Sequence, residues 1–266
     1  MKDIEELVLF ATELAELSRG IILSHSILDV GHEIKADGSP VTSVDREVEQ
    51  RLREHIDARY PQHGIFGEEF PNRDTDAERV WVIDPIDGTR QYATGIPLYS
   101  TLIGLAEAGR FVLGVMDFPA TRDRWIGGQG YPTRWNDRAV TVSQCATLQD
   151  AMVGRNEPER CSSEEYRVST KLAGTGPFSI CGAGSYGFAM VASGKLDIVI
   201  DTGLDPFDFA APTAIIEAAG GSATDWSGQP LTLEHQGRTL FVGDPALRDP
   251  AIELLNTQAS DCFTTR

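Results

Sequence analysis

The amino-acid sequence predicts a layered α and β fold, in which an N-terminal half with a mainly antiparallel sheet packs against a C-terminal α/β half. Three observations support this prediction. Two amphipathic helical segments open the chain, closely spaced β-rich runs follow them, and strands then alternate with helices toward the end.

The first helix is predicted from apolar residues that recur at helical spacing between Ile4 and Ile22, with charged residues between them. A second helix is predicted from about Val44 to Tyr60, where Pro61 closes it. The polar segment from Lys35 to Thr42 lies between them and contains Asp-Gly-Ser-Pro, which is typical of a turn.

The pattern then changes to short runs of β-branched and aromatic residues. Four of these runs predict the antiparallel sheet, and they lie at Val80–Ile83, Leu98–Ala106, Phe111–Phe118 and Arg124–Gly127. Ala108-Gly109-Arg110 fits a hairpin turn between two of them. Beyond about Thr147, strands are predicted near Met152, Phe178, Leu196–Ile200 and Thr239–Val242, and helices near Ser163–Leu172 and Ala210–Ala219.

The chain of 266 residues is expected to form a single domain over residues 1–266, with sub-domains of roughly 1–146 and 147–266. No repeat or Pro/Ser-rich linker separates the two halves. The functional site is therefore expected at their junction, where ligand clefts often lie.

Charge limits the class of partner. A net charge of -17 and a pI near 4.6 argue against binding of nucleic acid or anionic lipid, and they favour cations, although solubility alone also explains an acidic surface. The four cysteines form no CxxC pair, which argues against a zinc or dithiol redox site. No basic leader and no apolar run of about 18 residues occurs, so a cytoplasmic location without membrane contact is expected.

Carboxylates follow two predicted strands. Glu68 and Glu69 come after the apolar pair Ile65-Phe66, while Asp84 and Asp87 come after an apolar run and are separated by Pro85-Ile86. Hard cations such as Mg²⁺ bind a few carboxylates together with water and phosphate oxygens. The string DPIDGT also fits an ordinary β-turn, but its position after a strand and downstream of a Glu pair favours a metal site.

Other residues have candidate roles beside these carboxylates, and two of them, Asp45 and Asp208, allow two interpretations each. Gly88 permits close approach of a ligand, and the Thr89 hydroxyl can bind an anion or a water. Asp45 fits a capping box with Thr42, or it accepts a hydrogen bond from Thr89 and orients an attacking water. Asp208 is an N-cap residue or a ligand, and Asp201 is a strand-end residue with no role that its position alone defines.

Two longer strings resemble the signatures of the inositol monophosphatase superfamily of lithium-sensitive, magnesium-dependent phosphatases. They are WVIDPIDGTRQYATGIP, from Trp81 to Pro97, and LDPFDFAAPTAIIEAAGG, from Leu204 to Gly221, with GEE upstream. The resemblance covers nearly the whole chain. It implies an αβαβα, sugar-phosphatase-like fold, a small phosphate monoester as substrate and a homodimer.

The resemblance also implies the roles of individual residues. Two or three Mg²⁺ ions would be bound by the side chains of Glu68, Asp84, Asp87 and Asp208 and by the backbone carbonyl of Ile86. Thr89, paired with Asp45, would position the nucleophilic water, with Glu69 as nearby support. Gly88 and Thr89 would contact the phosphate, and Lys35 matches a family lysine near the metal and its water molecules.

Within the superfamily, KADGSPVTSVDREVE, HGIFGEEF and GLDPFDFAA look like the histidinol-phosphate phosphatase branch. This branch implies hydrolysis of L-histidinol phosphate to L-histidinol in histidine biosynthesis. Asp201 would bind the cationic amine of that substrate, and Ser185 and Arg90 are further candidates for lining the pocket.

Gln91 and Tyr92 depart from the pattern that inositol phosphatases more often carry. The sequence therefore leaves open an inositol phosphate, another sugar phosphate or a nucleotide as substrate. It also leaves open a regulator that binds metal or phosphate without catalysis.

Overall fold

The computed structural model describes residues 2–26, 31–36, 38–155 and 161–257. Its helices are α1 (Lys2–Ser24), α2 (Ser43–Arg59), α3 (Thr89–Thr94), α4 (Ser163–Ala173), α5 (Ser185–Ala192), α6 (Pro206–Ala218) and α7 (Arg248–Leu255). Its strands are β1 (His32–Ile34), β2 (Pro40–Thr42), β3 (Gly64–Gly67), β4 (Arg79–Asp87), β5 (Ser100–Glu107), β6 (Arg110–Phe118), β7 (Asp123–Gly128), β8 (Tyr131–Trp135), β9 (Arg138–Ala139), β10 (Val153–Arg155), β11 (Ser179–Cys181), β12 (Ile198–Leu204), β13 (Ser222–Thr224) and β14 (Gly237–Val242).

Two larger sheets form the frame of the molecule. The first has seven strands in the order of the chain, β3 to β9, and every neighbouring pair is antiparallel except β3 and β4. The second has five strands in the order β11-β10-β12-β14-β13, with β10 parallel to both of its neighbours. The predicted sub-domain boundary at residues 146 and 147 falls between β9 and β10, and it stays a prediction.

Helices cover both sheets, and one helical layer separates them. Helices α1 and α2 pack on the outer face of the first sheet, and α4 and α7 pack on the outer face of the second. Between the sheets lie α5 and α6, whose apolar residues contact both. The predicted αβαβα layering and the two kinds of sheet are confirmed.

Helix α6 is the central element of this stack. It is apolar on nearly all sides, as expected of a helix buried between two layers. It comes close to the first sheet because β5 and β6 carry glycine where they face it. A Cβ atom added at Gly114 would lie 2.2 Å from the Ala211 carbonyl oxygen.

The predicted start of α6 at Ala210 is wrong, because the helix begins at Pro206. Proline is favoured at the first position of a helix, where the missing N–H has no intrahelical partner in any case. Asp205 is the N-cap residue, and Asp208 completes a capping box with it. Asp208 therefore lies inside the first turn of the helix rather than before it.

Short elements account for the other differences from the prediction. The polar segment at residues 35–42 does contain a turn, in which the Lys35 N–H donates to the Ser39 carbonyl over 2.7 Å, but Pro40–Thr42 forms β2 and pairs with β1. Asp37 of the predicted turn lies outside the described residues. The sequence pattern did not predict β8, β9, β13, α5 or α7, which are short elements with weak periodicity. None of the helices in the described ranges has the length and apolar character that membrane crossing requires.

Gly114→Ala tests the close approach of α6 to the first sheet. The added methyl group would overlap backbone atoms of Ala211, so the substitution is expected to destabilise the protein by about 1–3 kcal/mol. Gly20→Ala is the matched control, because Gly20 lies on α1 with no atom within 4 Å of the added Cβ, and a gain of about 0.5–1 kcal/mol is expected there. Urea denaturation measures both, and a Gly114→Ala protein as stable as the wild type would contradict this packing.

Candidate metal centre and active site

A cavity of about 380 Å³ lies between the two sheets. Eleven residues singled out from the sequence line it, and they are Lys35, Glu68, Asp84, Ile86, Asp87, Gly88, Thr89, Arg90, Ser185, Asp201 and Asp208. Two other predicted residues, Asp45 and Glu69, do not line the cavity. Their carboxylates instead interact with the lining residues Thr89 and Lys35.

Three aspartates converge in this cavity. One carboxylate oxygen from each of Asp84, Asp87 and Asp208 lies within 4.8 Å of the other two. Asp84 is almost fully buried, and no residue in the described part of the chain donates a hydrogen bond to its Oδ1 atom. A buried carboxylate oxygen without a donor is the arrangement expected of a ligand for a hard cation.

A β-bulge brings Asp84 and Asp87 together. Asp84 pairs with Leu102 and Asp87 with Ser100, so β4 carries one more residue than β5 over this interval. In a regular strand, residues separated by an odd number of positions point to opposite faces. The extra residue removes this alternation and allows both aspartates to reach one volume.

Parallel pairing of β3 and β4 brings Glu68 to the same place. Gly67 pairs with Ile83, so the residues that follow them lie next to each other, Glu68 directly after the end of β3 and Asp84 within β4. The Lys35 ammonium donates to Glu68 Oε1 over 2.8 Å and to Glu69 Oε1 over 2.5 Å. Lys35 therefore places a positive charge against the two glutamates.

The electrostatics of the cluster show an excess of negative charge. Burial, together with the neighbouring carboxylates of Glu68 and Asp87, raises the pKa of Asp84 well above its ordinary value. Burial also raises the pKa values of Glu68 and Glu69, although their hydrogen bonds to Lys35 act in the opposite direction. Burial opposes the charge of Lys35, but its bonds to the two glutamates outweigh this effect and raise its pKa.

Thr89 and Asp45 form a pair at the edge of the cluster. The Thr89 hydroxyl lies 3.3 Å from Asp45 Oδ1 and 3.1 Å from the Ile86 carbonyl oxygen. The other Asp45 oxygen, Oδ2, accepts hydrogen bonds from the Thr42 N–H and hydroxyl groups. The capping-box contact and the contact with Thr89 therefore occur at once, one on each Asp45 oxygen. The predicted role of Asp45 in orienting a water stays a prediction.

The chain turns after β4 at Gly88, which has a φ of 83° and is the N-cap residue of α3, so the helix begins at Thr89. A Cβ atom at Gly88 would lie 3.0 Å from the Leu98 carbonyl oxygen, so the position requires glycine for both its conformation and its space. Arg90, the next residue after Thr89, is exposed at the cavity rim.

The remaining predicted residues lie on the C-terminal half. Asp201 is buried in the middle of β12, so the predicted position at a strand end is wrong, because the strand continues through it to Leu204. Its Oδ1 atom accepts the Thr202 N–H over 2.8 Å. Ser185 begins α5, and its hydroxyl group lies 2.8 Å from that of Ser100 on β5. This hydrogen bond joins the two halves of the molecule beside the cavity.

Other lining residues were not predicted as site residues, and they include Ser39, Pro40, Gln91, Gly182, Gly184, Phe188, Leu204, Asp205 and Phe207. Gly182 and Gly184 are visible in the sequence as two closely spaced glycines. Both have positive φ in the structure, and both line the cavity. Glu49 and Arg53, which hold the segment around Glu69 by hydrogen bonds, were also missed. Their spacing on α2 gives no local sign of that contact.

The chain is similar to a known protein family, to curated proteins and to solved structures. A profile described as "Inositol monophosphatase family" matches residues 3–257. A histidinol-phosphatase of Chlorobaculum parvum is 35% identical, over 76% of this chain and 79% of its own. The Nus factor SuhB of Pseudomonas aeruginosa is 32% identical, over 83% and 86%. A solved structure of an inositol monophosphatase from Zymomonas mobilis has a TM-score of 0.86 at 34% identity, over 95% of this chain and 98% of its own.

Asp84→Asn tests whether the aspartate cluster is a cation site. In EDTA at neutral pH, the variant should be more stable than the wild type, because it removes the one buried member of a group of neighbouring carboxylates that repel each other. In MgCl₂ the order should reverse, because only the intact cluster gains binding energy from the ion. Thermal unfolding of both proteins in both buffers measures this reversal.

Asp76→Asn is the matched control for this comparison, because Asp76 is exposed and lies outside the cavity. It should respond to MgCl₂ as the wild type does. Equal stabilisation of the wild type and Asp84→Asn by MgCl₂ would contradict the assignment.

Proposed function

Because the chain belongs to the inositol monophosphatase family, we propose that it is a magnesium-dependent phosphatase that converts L-histidinol phosphate into L-histidinol. The observation that carries the chemistry is the set of three aspartates within 4.8 Å of one another, beside the Thr89 and Asp45 pair. The choice of substrate is supported by the relative named histidinol-phosphatase, at 35% identity.

The donors present fit Mg²⁺. We propose that the ions are held by the carboxylates of Asp84, Asp87 and Asp208, with Glu68 and the Ile86 carbonyl completing the set, and that two or three ions bind. All of these donors are oxygen atoms, which hard cations prefer. When bound, Mg²⁺ supplies the positive charge that neutralises a phosphate ester and acidifies an attacking water.

Thr89 and Asp45 are proposed to handle the proton of that water. The Thr89 hydroxyl donates to Asp45 Oδ1, which leaves its own oxygen able to accept a proton from the water. As the water oxygen bonds to phosphorus, one water proton passes to Thr89 while the Thr89 proton passes to Asp45. The bond from phosphorus to the ester oxygen breaks, the ester oxygen leaves as an alkoxide that takes up a proton from solvent to give the alcohol, and Asp45 releases its proton to solvent. Burial raises the pKa of Asp45 and makes it a better proton acceptor. No covalent bond to the protein is formed.

Asp201 is proposed to bind the substrate amine. It lines the same cavity as the aspartate cluster, on the wall formed by the C-terminal half, and it is buried. A carboxylate in that position forms an ion pair and a hydrogen bond with an ammonium group, in which both partners are charged, whereas only the acceptor is charged in its hydrogen bonds with the hydroxyl groups of a sugar. Gly88 and Thr89 would hold the phosphate, and Ser185 and Arg90 would border the pocket.

Inositol 1-phosphate is the second candidate substrate, because the solved inositol monophosphatase of Zymomonas mobilis is nearly as similar, at 34% identity. Hydrolysis of this ester would use the same aspartate cluster.

The cytoplasmic location and the place in histidine biosynthesis stay predictions. So does the homodimer, for which the exposed Phe178 and Ile180 at the edge strand β11 offer an apolar surface.

Thr89→Ala tests the proton transfer. Loss of the hydroxyl group should lower kcat at least about 100-fold, the range typical of a lost general base, while the Mg²⁺ concentration at half-maximal activity changes little. Thr89→Ser keeps the hydroxyl and should stay within a few-fold of the wild type. An unchanged kcat in Thr89→Ala would remove this residue from the mechanism.

A comparison of two substrates tests the choice of L-histidinol phosphate. Phosphate release from it and from inositol 1-phosphate is measured in parallel, each with Mg²⁺ and with EDTA. We expect Mg²⁺-dependent release with a higher kcat/KM for L-histidinol phosphate. A preference for inositol 1-phosphate would overturn the substrate but keep the chemistry, and a lack of release from either ester would contradict the proposed function.

Asp201→Asn locates the origin of that preference. Removal of the charge should lower kcat/KM for L-histidinol phosphate about 10- to 100-fold, the value of a hydrogen bond to a charged group, and change it much less for inositol 1-phosphate. The second substrate is therefore the internal control. Equal losses with both esters would show that Asp201 does not recognise the amine.

A further inference from the structure

Helix α2 carries a buried acid that the proposed mechanism does not use. Glu49 has a fully buried side chain, and its Oε1 atom accepts from Arg53 Nε over 2.8 Å, one helical turn further along α2. The same carboxylate accepts two backbone N–H groups from outside the helix. These are the Glu69 N–H, 2.7 Å from Oε2, and the Phe70 N–H, 3.3 Å from Oε1.

The two N–H groups belong to the segment that follows β3 and carries Glu68. Beyond Gly67 the pairing with β4 ends, so this backbone has lost its sheet partners. Buried N–H groups need an acceptor, and Glu49 provides one for each. Arg53 holds the other side of the segment, donating from Nη2 to the Phe70 carbonyl and from Nη1 to the Pro71 carbonyl, each over 3.1 Å.

Gly67 shows how closely Glu49 fits against this segment. A Cβ atom added there would lie 2.1 Å from Glu49 Oε1 and 2.7 Å from Arg53 Nη2. A larger residue before the two glutamates would displace the Glu49 carboxylate and the Arg53 guanidinium from this position. Asn72 completes the support, because its side-chain oxygen accepts the Gly67 N–H over 3.1 Å.

Glu49 also connects this segment to the proton-handling pair. Asp45 and Glu49 are four residues apart on α2 and so lie on the same face of the helix. Asp45 meets Thr89 at the end of β4, while Glu49 meets Glu69 after β3. One rigid helix thus sets the distance between the residue that aims the water and the segment that presents Glu68.

We propose that Glu49, with Arg53, is a positioning residue that fixes the backbone after Gly67 and so holds Glu68 in place for Mg²⁺ binding. The inference rests on the proposed function, since Glu68 is one of its proposed ligands. Groups that orient metal ligands without touching the metal typically change affinity or activity 10- to 100-fold when they are replaced.

Glu49→Gln tests this proposal. Glutamine has an NH₂ donor in place of one carboxylate oxygen, so its side chain no longer offers a separate acceptor oxygen to each of the two backbone N–H groups. We expect the Mg²⁺ concentration at half-maximal thermal stabilisation, measured without substrate, to rise about 10- to 100-fold. In the metal-free protein, amide hydrogen exchange at Glu69 and Phe70 should become at least about 10-fold faster.

Glu54→Gln is the matched control. Glu54 lies on the same helix and pairs with Arg51 over 2.9 Å, but this pair is exposed and does not contact the segment after β3. Its Mg²⁺ titration and its hydrogen exchange at Glu69 and Phe70 should equal those of the wild type.

At saturating Mg²⁺, kcat of Glu49→Gln should return to within about threefold of the wild type, because the proton-handling pair is intact.

Arg53→Lys provides a second variant, in case Glu49→Gln does not fold. A lysine keeps a positive charge beside Glu49, but it cannot reach both carbonyl groups as the planar guanidinium does. We expect a smaller shift of the Mg²⁺ titration in the same direction. A folded Glu49→Gln protein, or in its absence Arg53→Lys, that titrates within twofold of the wild type would overturn this inference alone. A wild-type protein that binds no Mg²⁺ would overturn the proposed function together with it.

Discussion

Mutual repulsion among closely spaced carboxylates is the constraint on which the rest of this structure depends. Asp84, Asp87 and Asp208 lie within 4.8 Å of one another, and Glu68 adds its charge from the neighbouring strand. Carboxylates left to themselves would separate or become protonated. Rigid supports hold these carboxylates in place. A β-bulge holds Asp84 and Asp87 together, and a capping box at the start of α6 holds Asp208. Contacts between α2 and the segment after β3 hold Glu68.

Helix α6 shows how folding and function share the same atoms. Its apolar sides fill the space between the two sheets, and its first turn supplies Asp208 to the cavity. Because Gly114 lets this helix approach the first sheet closely, the depth of the packing also sets how far Asp208 reaches. The hydrogen bond between Ser100 and Ser185 fixes the other inner helix in the same way. Packing errors in the core would therefore appear as errors in the site.

Local patterns in the sequence predicted the two kinds of half, the long helices and the carboxylates that follow β-rich runs, because strand ends and helix caps leave local signatures. The αβαβα layering and most of the other residues around the cavity came from the resemblance to a known family. Asp45 was recognisable as a capping residue. Asp84 and Asp87 were predicted to lie in a turn after a strand that ends at Ile83, but β4 continues to Asp87 and a bulge against β5 brings them together. The start of α6 was missed because Asp205-Pro206 also fits a loop, although proline at the first helical position and a capping box are local features of a helix start. Glu49 was missed for a different reason: its partners, Glu69 and Phe70, are brought to it only by the fold.

The aspartate cluster is proposed to be a divalent-cation site that serves phosphate chemistry. A crystal structure of the protein with Mn²⁺, which prefers the same oxygen ligands as Mg²⁺, and with inorganic phosphate tests it most directly. Anomalous scattering from Mn²⁺ should show ions among Asp84, Asp87 and Asp208, with phosphate bound between them and Gly88. An absence of Mn²⁺ at the cluster at saturating concentration, or phosphate bound elsewhere, would contradict the account.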